Sequence, residues 1–178
     1  MSTTRTTLRT AGVAVRAMLV FTVVLGIGYT AVLTGIGQLA LPWQANGSML
    51  TSPKGAAVGS SLIGQSFADA EGTALAQYFQ SRPSAAGSGY DAGASSGSNW
   101  GPENPDLISA IETRQASISE LDEVPVTDIP ADAVTASASG LDPHISAANA
   151  LLQVDRVAQA RGIDVQQVRA LVESKLQS

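Results

Sequence analysis

The chain contains a run of twenty-five residues, 17–41, without a single charged side chain. As a helix this run would be about 37 Å long, enough to cross a hydrocarbon core of about 30 Å with some tilt. A cleaved signal peptide usually has a shorter apolar region and a small-x-small cleavage site, and no Ala-x-Ala follows this run. The sequence therefore predicts a retained transmembrane helix. The alternative is a secreted binding domain released by cleavage.

The charges that flank the run predict its orientation. Three basic residues precede it and one follows: Arg5, Arg9, Arg16 and Lys54. Because cytoplasmic flanks carry the excess of Lys and Arg, the N-terminus is predicted to be cytoplasmic. The predicted division is a cytoplasmic N-terminal tail, one transmembrane helix and one extracytoplasmic domain, over residues 1–16, 17–41 and 42–178. Within the helix, Gly28 and Gly35 are seven residues apart and would lie on one side, where they could pack against a partner helix.

Composition excludes several kinds of site. The chain has no cysteine and one histidine, which excludes disulfides, thiol catalysis and multi-histidine metal centres. Residues 67–178 hold 15 acidic against 6 basic side chains, a balance of −9. Because nucleic-acid binding depends largely on basic groups that neutralise phosphates, the acidic domain argues against it.

Hydrophobic patterning predicts a single α+β domain after the transmembrane helix. The segment "SSLIGQSF" (60–67) reads as a strand, and residues 69–80 read as a short helix capped by Asp69. Asn104 and Pro105 begin a longer helix that ends near Leu121, and a proline-limited edge segment follows at 123–130. Further helices are predicted after the caps Ser146 and Asp164, the first of them ending at Gly162.

Two groups of residues resemble catalytic sites. "GASSG" (93–97) fits the G-x-S-x-G pattern, but it lacks the preceding strand and the following helix of a nucleophile elbow. Ser137 or Ser139 with Asp142 and His144 could form a serine hydrolase triad. The structural interpretation is simpler: an Asx turn at Asp142 leads into Pro143, His144 donates to a backbone carbonyl, and the Ala/Ser run forms a strand that packs closely on another backbone.

Four blocks of sequence resemble one family. They are "GSSLIGQSF" (59–67), "YFQSRPSA" (78–85), "SSGSNWGPENP" (95–105) and "IPADAVTASASGLDPHIS" with its continuation to "RVAQARG" (129–162). These blocks are similar in content and order to the C subunit of the bacterial Kdp potassium-transporting ATPase, the KdpC family. The resemblance implies an accessory, non-catalytic subunit of a high-affinity potassium importer in the bacterial cell membrane. Its implied partners are a channel-like A subunit and a P-type B subunit.

The resemblance also implies roles for particular residues. The C subunit is described as needed for assembly and as a catalytic chaperone that raises the affinity of the B subunit for ATP, while ATP, Mg²⁺ and K⁺ are handled by the partner subunits. Gln153 matches a position compared with a nucleotide-contacting glutamine. An extracytoplasmic domain conflicts with direct contact, so an indirect effect on ATP affinity is favoured. The alternative function is a membrane-tethered serine hydrolase. Candidate partner-interface residues are Gly28, Gly35, Arg82, Asn99, Ser137, Ser139, Asp142 and His144.

Overall fold

The computed structural model describes residues 2–176, with side chains from residue 6 onward. The chain divides into two compact units, Met1–Ser60 and Ser61–Ser178. The side chain of Arg5, one of the three flanking arginines, lies outside the described part. The predicted boundary between membrane and extracytoplasmic segments stays a prediction.

The first unit begins with an uninterrupted helical stretch. Helix α1 spans Ser2–Phe21, a π-helical segment spans Thr22–Tyr29, and α2 spans Thr30–Ala40. Within this stretch Thr6–Ala40 is, in the described part of the chain, the one helix long and apolar enough to cross a membrane, and an 18-residue window of it has a mean hydropathy of 2.1. π-Helical turns are rare and were not predicted here. The predicted apolar helix is thus present, with its N-terminal end extended into the arginine-containing segment.

A small sheet completes the first unit. The short helix α3, Pro42–Ala45, is followed by strands β1, Met49–Thr51, and β2, Ala57–Ser60, which pair antiparallel. The prediction of a strand at 60–67 is therefore wrong beyond its first residue. Gly64 donates its amide to the carbonyl of Leu141 at 2.9 Å, but no ladder continues on either side of that bond.

The predicted helix at 69–80 is also wrong. Asp69 does act as a local cap, since its Oδ1 accepts from the amides of Glu71 and Thr73. These bonds close a turn rather than start a helix, because Gly72 adopts a φ of +87° and Ala68 pairs with Ala74 in an isolated bridge. The same side-chain chemistry serves helix caps and Asx turns, and the sequence pattern did not separate them.

The central helix of the second unit follows the prediction. Helix α4 spans Pro105–Asp122, and Asn104 Oδ1 accepts from the first free amides. The segment predicted as a sheet edge at 123–130 is instead a 3₁₀ turn, Val126–Asp128, between two prolines, and helix α5 follows at Ala131–Val134. The Ala/Ser run after α5 is not a strand in the structure.

The C-terminal part contains three helices: α6, Ala147–Leu152, α7, Val154–Arg161, and α8, Val165–Glu173. Ser146 and Asp164 cap α6 and α8 as predicted, and Gly162 ends α7 with a φ of +65°. The single helix predicted between Ser146 and Gly162 is divided at Gln153. The coarse prediction of a mixed α+β architecture is confirmed as a set of helices with one small sheet.

The second unit has two small apolar clusters. One joins α7 and α8, and its buried members are Val154, Val157, Ala158 and Val168. The other lies beside α4 and α5, and its buried members are Ile129, Ala133 and Val134. Alanine and valine bury little area each, so polar contacts carry much of the packing between segments.

Candidate functional site

Gln153 is the centre of a buried polar cluster in the second unit. Its side chain lies between α6 and α7 and is only 3% exposed. Its Oε1 accepts from the amide of Gln80 at 2.6 Å and from Arg156 Nη2 at 2.7 Å. Its Nε2 donates to the carbonyl of Gln80 at 3.2 Å and to Asn149 Oδ1 at 2.8 Å. Since a glutamine side chain can make about four hydrogen bonds, Gln153 is fully satisfied within the chain.

Arg156 extends this cluster to helix α4. Its Nε donates to Asp122 Oδ1 at 2.6 Å, and its Nη1 donates to the carbonyls of Ala76 and Tyr78. Burial raises the pKa of the Asp122 carboxyl above its ordinary value, against the opposing hydrogen bond and charge of Arg156. Four of the five guanidinium donors are therefore used, which fixes the irregular segment 76–80 against the helices.

Asp142 organises the loop that follows α5. Its Oδ1 accepts from the backbone amide of His144 at 3.0 Å, as the predicted Asx turn requires, and its Oδ2 lies 3.1 Å from Arg82 Nη1. The His144 amide bond is the largest cause that lowers the pKa of Asp142, and Arg82 adds to it against partial burial. Arg82 also donates to the carbonyl of Thr135 at 3.4 Å. The Asp142 carboxylate is thus a fixed anion with an internal cation beside it.

The histidine does not behave as predicted. His144 Nδ1 lies 3.3 Å from Asp142 Oδ1, so the predicted donation to a backbone carbonyl is wrong. The side chain of His144 is 80% exposed. The Asx turn bonds the backbone amide of His144 to Asp142 Oδ1, and the His144 ring lies near the same oxygen.

The two serines are engaged elsewhere. Ser137 Oγ lies 3.4 Å from Ser139 Oγ, and Ser139 Oγ accepts from the amide of Leu141 at 3.1 Å. Within residues 6–176, no hydrogen bond joins either serine to His144. A triad needs its serine and histidine within hydrogen-bond reach, so the described geometry does not assemble one.

Close backbone approach is the main feature of this loop. Gly140 has a φ of +66°, and a Cβ built on it would lie 2.7 Å from both the amide nitrogen of Ala86 and the carbonyl oxygen of Ser96. Ser84 Oγ donates to the carbonyl of Gly140 at 2.6 Å, and the amide of Ser96 donates to the carbonyl of Ser139 at 3.0 Å. The predicted close packing of the small-residue run is therefore confirmed, although it occurs without a strand.

The "GASSG" segment takes part in that packing. Asp91 caps a single 3₁₀ turn, Ala92–Ala94, and Ser95 Oγ donates to the carbonyl of Ser139 at 2.9 Å. A Cβ on Gly97 would lie 2.9 Å from the carbonyl oxygen of Ala138. The segment contacts the 137–140 loop and has no strand before it, so it lacks the geometry of a nucleophile elbow.

An open cavity of about 600 Å³ lies beside this loop. Its walls include Leu62, Ile63, Arg82, Ser137, Ser139 and Pro143. Four of the predicted partner-interface residues, Arg82, Ser137, Ser139 and Asp142, therefore line one surface, and His144 follows directly in the chain.

The other predicted interface residues are not among those that line this cavity. Asn99 is exposed with a φ of +54° and donates from Nδ2 to the carbonyl of Gly97. Gly28 lies in the π-helical segment, and a Cβ on Gly35 would meet nothing within 4 Å. The partner roles of all these residues stay predictions. The cluster of Asn149, Gln153 and Arg156 was not predicted as a unit, although Gln153 was named and the polar spacing of four and three residues beside an apolar helical stripe was a visible signal.

The fold and the site define a class of protein: one candidate membrane helix, followed by a small domain held together by buried polar contacts. A model of the family described as "KdpC: K+-transporting ATPase, c chain" matches residues 11–178. A protein of Caulobacter vibrioides (strain NA1000 / CB15N), named "Potassium-transporting ATPase KdpC subunit", is 52% identical over 164 residues, covering 92% of this chain and 79% of that protein. A protein of the same name from Mycobacterium tuberculosis (strain ATCC 25618 / H37Rv) is 50% identical over 161 residues, covering 90% and 82%. The chain belongs to the KdpC family, and the resemblance of the four sequence blocks is confirmed.

Proposed function

We propose that this chain is the accessory subunit of an ATP-driven, high-affinity potassium importer. It assembles with a channel-like A subunit and a P-type B subunit, stabilises their complex and carries no catalytic residue of its own. The observation that supports this most strongly is the match to the KdpC family along residues 11–178. ATP, Mg²⁺ and K⁺ are bound by the partner subunits.

The proposed membrane arrangement is a single pass with the N-terminus in the cytoplasm. The apolar helix Thr6–Ala40 and the basic residues at its N-terminal end support it. The second unit then lies outside the cell membrane. Protease added to intact spheroplasts should digest this unit without permeabilisation, and protection until permeabilisation would overturn the orientation.

The chaperone effect on ATP affinity is proposed to be indirect. Gln153 uses its donors and acceptors on Gln80, Asn149 and Arg156, which leaves none of them for a nucleotide in the described structure. The subunit instead favours the conformation of the complex in which the B subunit binds ATP more tightly, and by linkage ATP strengthens assembly in return.

Two measurements on the intact complex test this function. Affinity purification through a tag on this chain, in mild detergent, should co-elute a channel subunit and a P-type ATPase subunit. ATP titration of the ATPase activity, with and without this chain, should show a higher KM for ATP when it is absent. Failure to co-elute either partner would contradict the assembly role, and nucleotide crosslinking to Gln153 in oriented vesicles would contradict the indirect effect.

A further inference from the structure

The segment 79–85 of the second unit has one unpaired edge. It is neither helix nor turn, and no backbone–backbone hydrogen bond involves it within the described part of the chain. Arg82 precedes a proline, which favours an extended backbone at that position. Because successive residues of an extended segment present their amide and carbonyl groups to opposite edges, Gln80 and Arg82 form one edge, and Ser81 and Pro83 form the other.

The chain itself satisfies much of the first edge. Gln153 Oε1 accepts from the amide of Gln80 at 2.6 Å, and Gln153 Nε2 donates to the carbonyl of Gln80 at 3.2 Å. This side-chain amide therefore takes the place of a neighbouring strand. Further along the same edge, the Tyr90 hydroxyl donates to the carbonyl of Arg82 at 2.8 Å.

The second edge, formed by Ser81 and Pro83, is open. Among residues 6–176, no hydrogen bond is made by the backbone amide or carbonyl of Ser81 or by the carbonyl of Pro83. Both residues are half-buried, and backbone polar groups that are withdrawn from water need a partner. Proline has no amide to donate and is found in sheets mainly at edge positions. This open edge is therefore a template for an added strand.

An open cavity of about 790 Å³ adjoins the open edge. Its lining includes Ser81 and Pro83, together with Arg114, Ile118 and Leu121 of helix α4. The volume is within the range of about 300–1,000 Å³ that is usual for binding pockets. The walls of the cavity thus include unpaired backbone groups, apolar side chains and a cation.

The cation, Arg114, has no acidic partner in the described part of the chain. Its Nη1 donates to the carbonyl of Val134 at 2.8 Å, and no carboxylate lies within 4 Å of its guanidinium. Burial lowers the pKa of Arg114 below its ordinary value, and no neighbouring carboxylate counteracts this. Glu120 also lines the cavity, but it is exposed and forms no ion pair with Arg114. The unused guanidinium donors match the geometry of a carboxylate.

We propose that this cavity binds an extended segment of the channel-like subunit, which adds a strand to the open edge and places a carboxylate on Arg114. Apolar side chains of the same segment pack against Ile118 and Leu121. The inference names the contact through which the proposed assembly forms, so it rests on that proposed function.

The charge of the cavity and the location of the second unit favour this occupant. A second copy of this chain that paired through the same edge would bring no carboxylate to Arg114, because residues 79–85 contain no acidic side chain. The second unit is proposed to lie outside the cell membrane, on the side opposite to the ATP supply. A membrane-spanning channel subunit is therefore favoured over the nucleotide-binding part of the ATPase subunit.

Photo-crosslinking in the intact complex tests the identity of the occupant. The variant Thr73→p-benzoylphenylalanine places the crosslinker at an exposed residue that lines the cavity, and Gln166→p-benzoylphenylalanine places it at an exposed residue of α8 that does not. The Thr73 variant should crosslink to a segment of the channel-like subunit that contains Asp or Glu, and the Gln166 variant should not reach that segment. A crosslink from Thr73 to a second copy or to the ATPase subunit, or none in an intact complex, would overturn the inference.

Affinity measurements test the carboxylate contact. The full-length variants are titrated onto a complex of the two partner subunits that lacks this chain. Arg114→Met should weaken binding about tenfold or more, and Arg114→Lys should recover part of the loss because it retains the charge. Arg169→Met is the matched control, since Arg169 is also half-buried but does not line the cavity. It should leave the affinity unchanged.

A second pair of variants tests the added strand. Ser81→Pro removes the amide from the open edge, whereas Ser81→Ala removes the same hydroxyl bond to the carbonyl of Gln65 and keeps the amide. Only Ser81→Pro should weaken binding strongly. Equal affinities within this pair, or for Arg114→Met and Arg169→Met, would overturn the inference while the parent chain still binds. Failure of the parent chain to bind the partner subunits would instead contradict the proposed function, and the inference with it.

Discussion

Arg156 Nε donates to Asp122 Oδ1 across 2.6 Å, and the two side chains are only 6% and 4% exposed. Asp122 is the last residue of α4 and Arg156 lies in α7. The same guanidinium bonds the carbonyls of Ala76 and Tyr78, so one side chain joins two helices and an irregular segment. In a domain whose buried apolar residues are mostly alanine and valine, this pair has a large share in fixing the tertiary structure.

The first prediction concerns that pair. Arg156→Met should lower the free energy of unfolding by about 3–5 kcal/mol, because it leaves Asp122 buried without its partner. The double variant Asp122→Leu with Arg156→Met should recover part of the loss, since no buried charge remains. Chemical denaturation of the full chain in detergent, followed by circular dichroism, measures both.

Arg161→Met is the matched control for this experiment. Arg161 lies in the same helix, but it is exposed; it donates from Nε to the carbonyl of Gln77, and its guanidinium lies 5.2 Å from the centre of the Tyr78 ring. Loss of one hydrogen bond and one exposed cation–π contact should cost about 1–2 kcal/mol, less than the loss expected for Arg156→Met. Equal losses for Arg156→Met and Arg161→Met would contradict the role given to the buried pair.

The second prediction distinguishes a structural role of Gln153 from nucleotide contact. Gln153→Ala should destabilise the second unit by about 1–3 kcal/mol for each buried group it leaves unpaired, the amide of Gln80 first among them. Any change in the KM of the complex for ATP should then be explained by the smaller fraction of complexes that contain folded, bound subunit. An altered KM for ATP at full occupancy and unchanged stability would favour direct contact instead.

The local signals in the sequence predicted the helix ends well. Asn104, Ser146 and Asp164 each accept from free backbone amides at the start of a helix, and Gly162 ends one in the left-handed region. These features depend on a few neighbouring residues, so a sequence pattern is sufficient to predict them.

The contacts between distant segments were not predictable in the same way. Gln80 meets Gln153 across 73 positions of sequence, and Ser84 meets Gly140 across 56. The periodicity of a sequence does not indicate which distant residues pair. The conformation of the segment 68–80 depends on contacts with distant residues rather than on its own helical pattern. No cavity was predicted from the sequence. Ser137, Ser139 and Asp142 were grouped because they are neighbours in sequence, whereas the contact of Arg82 with Asp142 spans 60 positions and has no local signal.

The third prediction tests the close approach at Gly140. Gly140→Ala should lower the free energy of unfolding by about 2–4 kcal/mol. Overpacking contributes about 1–3 kcal/mol of this loss, and an alanine in the left-handed backbone conformation contributes about 1 kcal/mol. Gly72→Ala separates the two causes, because Gly72 also has a positive φ but no atom lies within 4 Å of the added Cβ. It should cost about 1 kcal/mol. Equal effects at the two positions, measured by thermal unfolding, would show that the contacts with Ala86 and Ser96 do not matter.

The fourth prediction concerns the serine at the cavity. Ser139→Ala removes an acceptor for the amide of Leu141 and should cost about 1 kcal/mol. Growth at low potassium and co-purification of the partner subunits should continue. A labelled fluorophosphonate that modified the wild-type chain but not this variant would instead support the hydrolase alternative.

The last prediction concerns acid stability and rests on Asp132. Its Oδ2 accepts from the amide of Ser146 at 2.8 Å and from Asn149 Nδ2 at 3.1 Å, and its Oδ1 accepts from Ser146 Oγ at 2.7 Å. Partial burial by itself would raise the pKa of Asp132, but these hydrogen bonds outweigh it and the pKa lies below the ordinary value of 3.8. The folded state therefore binds this proton less readily than the unfolded state does.

The sign of the pH dependence follows from that difference. Stability due to Asp132 is fully present above pH 3.8 and is lost as the pH falls through the lower folded pKa. Asp122 has the opposite effect on the pH dependence of stability. Because burial raises its pKa, the folded state binds a proton at a higher pH than the unfolded state does. Asp132→Asn should thus lower the unfolding midpoint near neutral pH and flatten its decline in acid. Denaturation midpoints measured from neutral pH to below pH 3.8 test this, and an equally steep decline in Asp132→Asn and the parent chain would contradict it.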